Sequence, residues 1–457
     1  MKDTNKQFIN YRQINWLFLI LLSVVTGILS IFVNPIFIIA AIIGLINIFL
    51  IFKYPMYGLI GYLIIFLIRP AEIFPALALI RPELLIGIMV IIAVILHQKF
   101  KLGTVTIPID RISLSIIGIL IAISLSFFTS YEKSVTKEIA IDFIKIIVFF
   151  YLIISLITTE KRFIVFIVTF LCLMTYIASD AYIQYLSGNF THTMNVDRLT
   201  GSTSAGGDAN SLGATLVLSI PIILASANYF NNFFVKIPFY ILSLFMSTMV
   251  VITASRSALL ALLGIIFAGI YYSKHKVLNF IIAIILIIIG WFLLPQQYQD
   301  RYMLFSEVDE NMNEVSSGRI DIWKAGIRMI PANPILGVGA GAFRWAYASG
   351  EYGPPQFMQS HNLYIQLASS MGIVGVTAWL FFIITFLKKM KWLSHIKHTS
   401  ESYWMIFFSK SFIIVLVGLL ISGMFGHNLY RYTWYMLAGL TVAMSNIYLS
   451  EYSKNET

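Results

Sequence analysis

The chain has 457 residues, of which 59% are apolar and only 11% charged. An ordinary soluble domain carries roughly 25% charged residues, and the mean hydropathy here is +0.85, so a soluble globular enzyme and a disordered chain are both excluded. The net charge of +10 is not a nucleic-acid footprint: in a chain this apolar, basic loops record topology and contact with anionic lipid. Membrane lipids, and no nucleic acid, are the partners this composition predicts. The single cysteine, Cys172, allows neither an internal disulfide nor a cysteine-based metal site.

A spanning helix needs about 20 mostly apolar residues, and each span must satisfy its own backbone, which leaves the α-helix. The polar start, Met1 to Asn15, precedes a stretch too long for a cleavable signal peptide, so it reads as the approach to a first membrane helix. Candidate spans follow at 15–33, 36–52, 54–68, 84–97, 112–128, 140–157, 163–186, 212–229, 237–254, 257–272, 277–294, 361–387, 404–425 and 429–449. The third and fourth are short and flank a segment from Arg69-Pro70 to Arg81-Pro82, which fits half-helices or a re-entrant pair. The expectation is therefore an all-α, polytopic membrane protein of 12–14 helices. Its N-terminal helices occupy 1–211, and 212–457 forms a C-terminal membrane region with one larger loop at 295–360. Within that loop, Ile320, Trp323, Ile327 and Ile330 fall on one helical face, with Ser316 to Gly318 as the start and Pro331 as the stop. This reads as an amphipathic helix on the membrane surface.

With the N-terminus inside, the inner loops hold 14 Lys and 3 Arg and the outer loops 3 Lys and 9 Arg. Inner lysine is the usual topological anchor, so both termini are expected in the cytoplasm. Outer arginine is not explained that way. Its planar fork of donors suits phosphate and carboxylate oxygens, which points to an anionic ligand at the outer face; scattered solubilising charge is the plainer alternative.

Several residues are candidates for that chemistry. Arg256, in Thr253-Ala254-Ser255-Arg256-Ser257, sits between two spans with almost no loop and needs water or an anion nearby, or snorkels. Arg319 opens the surface helix, where free N–H groups already attract anions, unless it pairs with Asp321 or Glu314. Arg198, in Arg198-Leu199-Thr200-Gly201, is either a second anion or sugar contact or part of a capped turn. His361, in Ser360-His361-Asn362-Leu363-Tyr364, offers an imidazole for general-base work, against the alternative of an interfacial polar anchor. Gly372, about three turns on, either leaves room for a lipid tail or lets helices pack closely. The glycines of 336–341 lack the strand and the Gly-Lys-Ser/Thr of a phosphate loop and read as a tight turn against the membrane. No Walker motif, metal-ligand cluster or DxD pair is present, so neither cofactor nor metal is expected. An already activated lipid-diphosphate sugar meets the need for arginines and bilayer together.

In order, Ser255-Arg256-Ser257-Ala258-Leu259, Ser317-Gly318-Arg319 to Trp323, Asn333 to Gly339, and His361-Asn362-Leu363-Tyr364 with Gly372 resemble the C-terminal region shared by bacterial O-antigen ligases and O-antigen polymerases, over about 250–385. The resemblance implies a multi-pass enzyme of the bacterial inner membrane, of the GT-C-like class. It implies transfer of a glycan, with inversion and without metal, from an undecaprenyl-diphosphate-linked donor to an acceptor hydroxyl at the periplasmic face. It assigns the diphosphate to Arg256 and Arg319 and acceptor activation to His361, with Arg198, Arg328 and Asn362 as further substrate contacts. The spacing from His361 to Gly372 is that of the ligases, whose acceptor is lipid A–core. The spacing from Arg328 to Gly339 is that of the polymerases, whose acceptor is a second lipid-linked glycan. A polytopic transporter or lipid flippase is the third alternative.

Overall fold

A computed structural model describes residues 35–100, 110–193, 195–202, 207–303, 316–396, 402–426 and 428–452. Thirteen of the fourteen expected spans fall on helices; the first, 15–33, lies outside the described residues. The helices are α1 Pro35–Lys53, α2 Pro55–Ile68, α3 Pro82–Lys99, α4 Arg111–Leu125, α5 Lys133–Leu156, α6 Glu160–Leu186, α7 Ala209–Asn228, α8 Phe233–Ile252, α9 Arg256–Tyr272 and α10 Lys276–Leu293. In the large loop follow α11 Gln296–Met303, α12 Ser316–Ala332 and a short helix, Phe343–Ala348, then α13 Leu363–Ser394, α14 Tyr403–Gly423 and α15 Tyr432–Ile447. Among the described residues nine helices are long and apolar enough to cross a membrane. The all-α, polytopic reading is borne out. Among the described residues there is one two-stranded hairpin, β1 Thr191–Thr193 with β2 Val196–Arg198, which sets Thr191 opposite Arg198.

The helices alternate in direction, and this sorts the charges. Arg69, Arg198, Arg256, Arg319 and Arg431 gather at one end of the bundle, while Lys99, Lys161, Lys388 and Lys389 gather at the other. At the lysine end Lys389 pairs with Asp110 across α13 and the start of α4. The segment between α2 and α3 is a one-turn helix, Pro70–Ile73, and a 3₁₀ turn, Pro75–Leu79. Arg69 and Arg81 bracket it in the left-handed conformation, at φ 52° and 47°.

α15 is buried on nearly every side and is apolar all round, as the centre of a membrane bundle must be. It packs against α5, α13 and α14, while α10 has no buried residue. A second, smaller core lies in the large loop. There α12 buries Ile322, Ala325 and Met329 against Val338, Phe343 and Tyr347. α12 therefore has a second apolar face beside the expected one. Ile320 and Ile327 of the expected stripe stay exposed, and a different face holds the helix to the protein. Pro331 lies inside the last turn, which ends at Ala332.

α13 is broken at Gly372, whose φ of 57° and ψ of −156° leave the helix. The freed N–H groups of Ile373 and Val374 donate to the carbonyls of Pro334 and Ile335, at 2.8 and 3.3 Å. In return Val338 and Gly339 donate to the carbonyls of Ser369 and Ser370, at 2.8 and 3.0 Å. A Cβ on Gly372 would stand 2.4 Å from the Ile335 carbonyl oxygen, and one on Gly337 would stand 2.3 Å from the Ser370 carbonyl carbon. The glycine-rich turn is therefore docked on the protein, between the broken helix and the α4–α5 corner, and not against the membrane as its sequence had implied. No room for a lipid tail exists at Gly372; close backbone packing fills it.

Candidate functional site

The arginine end is organised around the carboxyl end of α8. The last carbonyls of a helix have no partner within it, and here each is met. Thr253 donates to Met249 and, through its hydroxyl, to Val250; Ala254 N–H and Tyr302 Oη donate to Val251; Leu199 N–H donates to Ile252. The next two carbonyls go to arginines. Arg198 Nε–H donates to Thr253 O at 3.0 Å, and Arg301 Nε–H donates to Ala254 O at 2.8 Å. Cations at a helix carboxyl end also face the favourable pole of its dipole.

The chain then turns sharply through Ala254, at φ 51°, and starts α9 at once. Ser255 caps it, accepting from Ala258 N–H at 3.4 Å, and Arg256 is its first residue. Gly213 of α7 lets the turn seat closely: a Cβ there would meet Ala258 Cβ at 2.7 Å and Thr253 Oγ1 at 2.9 Å. Arg198 reaches the start of α7 as well, donating to Asn210 Oδ1 at 2.8 Å. Tyr298 ties α11 to β2 through the Asp197 carbonyl, at 2.6 Å.

Four guanidinium groups thus share one region. Burial, followed by the charges of Arg198, Arg256 and Arg319, pushes Arg301 down to about 10. Burial, with Arg256 beside it, lowers Arg198, and the same two causes lower Arg319. Arg198, Arg301 and Arg319 remain protonated at neutral pH. Arg256 and Arg319 both lie in the first turn of a helix, where the dipole disfavours a cation by about 0.3–1 kcal/mol each. Asp321 does not relieve Arg319; it pairs with Lys324 at 3.3 Å. An anion at this point offsets both the mutual repulsion and the two unfavourable dipoles.

Trp323 follows Arg319 by one turn on the same face of α12 and donates its indole N–H to Ser360 O, at 2.9 Å. The first turns of α12 are thereby held against the segment bearing His361. Asn362 caps α13, its Oδ1 accepting from Tyr364 and Ile365 N–H at 2.9 and 3.1 Å. The cap is thus built from Asn362, and its carbonyl oxygen is spent there. His361 is half-buried and left-handed at φ 45°, a conformation that costs a non-glycine residue energy and concentrates at functional sites.

Arg328 stands nine residues after Arg319, on about the opposite face of α12, and donates to Tyr352 O at 3.1 Å. It is not part of the cluster. Arg301 is, though the sequence alone did not single it out; its signal was Tyr298, Arg301 and Tyr302 on one face of a short polar helix. Among the described residues no three or more His, Cys, Asp or Glu come together.

The fold and this site define a polytopic all-α membrane protein with a cationic cluster at one end of its bundle. Residues 241–380 match the family model described as O-Antigen ligase. The match runs from α8 into α13 and includes Arg256, Arg301, Arg319, His361 and Gly372, with Arg198 outside it. It bears out the resemblance to the O-antigen ligase superfamily and supports glycosyl transfer as the class of reaction. No curated protein matches the chain.

Proposed function

We propose that the protein is an O-antigen ligase-type glycosyltransferase of the bacterial inner membrane, moving a glycan from undecaprenyl diphosphate to a lipid A–core hydroxyl. The observation that supports this reading is the gathering of Arg198, Arg256, Arg301 and Arg319 around two helix starts, a concentration of positive charge that suits a diphosphate. Arg256 and Arg319 bind the diphosphate, and Arg198 and Arg301 hold the turn before Arg256. The acceptor oxygen forms its bond to the anomeric carbon as that carbon's bond to the diphosphate breaks, which inverts the centre. The hydroxyl proton passes to the His361 imidazole, and the arginines neutralise the charge left on the lipid diphosphate. The lysines gathered at the opposite end support a periplasmic site and cytoplasmic termini.

The two spacing cues do not choose between ligase and polymerase, because Gly372 and Gly339 both serve the junction of α13 with the glycine-rich turn. The deciding experiment is deletion of the gene followed by gel analysis of the surface polysaccharide. Loss of all long chains attached to core supports ligation. Core plus one repeat supports the polymerase, and an unchanged glycan supports transport.

A further inference from the structure

A cavity of about 390 Å³ opens at the arginine end among α2, α3, α5, α6, α7 and α15. Its floor is apolar, formed by Phe66, Phe149 and Ile177, and its inner wall is the start of α15, with Tyr430, Arg431 and Thr433. That wall holds unmet donors. Tyr430 Oη and Thr433 Oγ1 are buried with no hydrogen-bond partner among the described residues. Arg431 spends one N–H on Ser211 O, at 3.5 Å, out of the five a guanidinium carries.

A buried hydroxyl without an acceptor is costly, and two of them beside a guanidinium with one acceptor call for an oxygen-rich anionic group. The rim carries Arg69 and Lys145, with Glu83 and Asp142. Asp142 is matched by Lys145 at 2.7 Å and Arg69 by Glu72 at 3.0 Å, which leaves Arg431 as the cation of the inner wall. Tyr62, also on the wall, lies seven residues before Arg69, about 10 Å deeper along α2. Polar groups near the bundle end and rings deeper in are the profile of an amphiphile. We propose that this cavity is a second site, which takes the phosphate of a lipid at Tyr430, Arg431 and Thr433 and lays its chain over Phe66 and Phe149. It lies across the start of α7 from the arginine cluster, with Ser211 on this side and Asn210 bonded to Arg198 on the other. The inference does not depend on the reaction assigned to that cluster.

The test is photolabelling of the full chain, in phosphatidylcholine nanodiscs, with a diazirine-bearing farnesyl phosphate, followed by peptide mapping. Label should appear in 62–69, 142–149 and 430–433. It should fall by about tenfold or more in Arg431→Gln, the value of a charge-assisted bond. Thr433→Val, which removes only the hydroxyl, should weaken labelling several-fold and keeps the test open where Arg431→Gln does not fold. Farnesol with the same diazirine should label far less; equal labelling overturns the phosphate assignment. Competition by phosphatidylglycerol identifies a phospholipid as the source, and competition by undecaprenyl phosphate alone identifies the carrier lipid; either supports the site. Label confined to α9 and α12, or unchanged in both variants, overturns it. Arg256→Ala should leave cavity labelling intact, which separates this result from the fate of the proposed reaction.

Discussion

Arg301 donates its Nε–H to the carbonyl oxygen of Ala254, 2.8 Å away and two residues before Arg256. One arginine, from a loop helix 45 residues further on, thus fixes the left-handed turn that aims another. In Arg301→Gln the fully buried Ala254 carbonyl loses its charged donor, which costs about 1–3 kcal/mol, and Arg256 loses its alignment. The expected result is lower thermal stability and a loss of glycan transfer of about tenfold or more. Arg301→Lys, which keeps the charge without the fork, should recover only part. Parent stability and parent turnover in Arg301→Gln would show that the turn holds itself.

Arg256→Ala and Arg319→Ala should each lose at least about tenfold in turnover, since charge-assisted contacts are worth roughly 1.5–3 kcal/mol. Inorganic diphosphate should raise the unfolding temperature of the parent and do so less in either variant. The lowest of the cluster, Arg301, lies at about 10. Its depressed value means that burying the charge costs stability at every pH below that point, a cost relieved only as pH rises above about 10. Across pH 6 to 8 Arg301 keeps its charge, so binding of sulfate, which has no ionisation in that window, should be flat there. A steep change in binding within that window would assign the anion to another group.

His361 and its neighbour Asn362 make separable predictions. Asn362→Ala removes the α13 cap and should cost about 1 kcal/mol of stability, with any activity loss following from that. His361→Gln should unfold like the parent, still bind lipid-linked donor, and lose transfer by about 10²–10⁴-fold, the contribution of a positioned base. His192→Ala, whose ring pairs with Asp197 at 2.7 Å across the hairpin, should stay active. Near-parent transfer by His361→Gln would make the histidine structural.

Gly372→Ala meets two obstacles, a positive φ and an Ile335 carbonyl oxygen 2.4 Å from the new Cβ. It should abolish accumulation of folded protein. Gly290→Ala, with nothing within 4 Å, should be silent. Equal expression of the two would mean that the turn at 334–339 is free to move away from α13.

Single cysteines at Ser349 and His395, both exposed and at opposite ends, in a Cys172→Ala background, test orientation. A membrane-impermeant thiol reagent should label the first in intact spheroplasts and spare the second. The reverse pattern would turn the molecule over and put the arginine cluster in the cytoplasm.

The helices and the sorting of arginine from lysine were legible in the chain, because the bilayer imposes length and hydropathy on each span separately. Arg256, Arg319 and His361 were legible as candidates, since each stands at a helix start beside an apolar pattern. What required the tertiary structure was everything joined across long separations. Arg301 reads as an ordinary loop charge until its bond to Ala254 is seen, and Asn362 reads as a polar contact until its carbonyl oxygen is found capping α13. Gly372 reads as space beside a helix, whereas it is the break that receives the turn at 334–339. On α12 the apolar spacing marked Ile320 and Ile327, yet Ile322, Ala325 and Met329 carry the packing. A period in sequence tells which residues share a face, but only the neighbouring elements decide which face is covered.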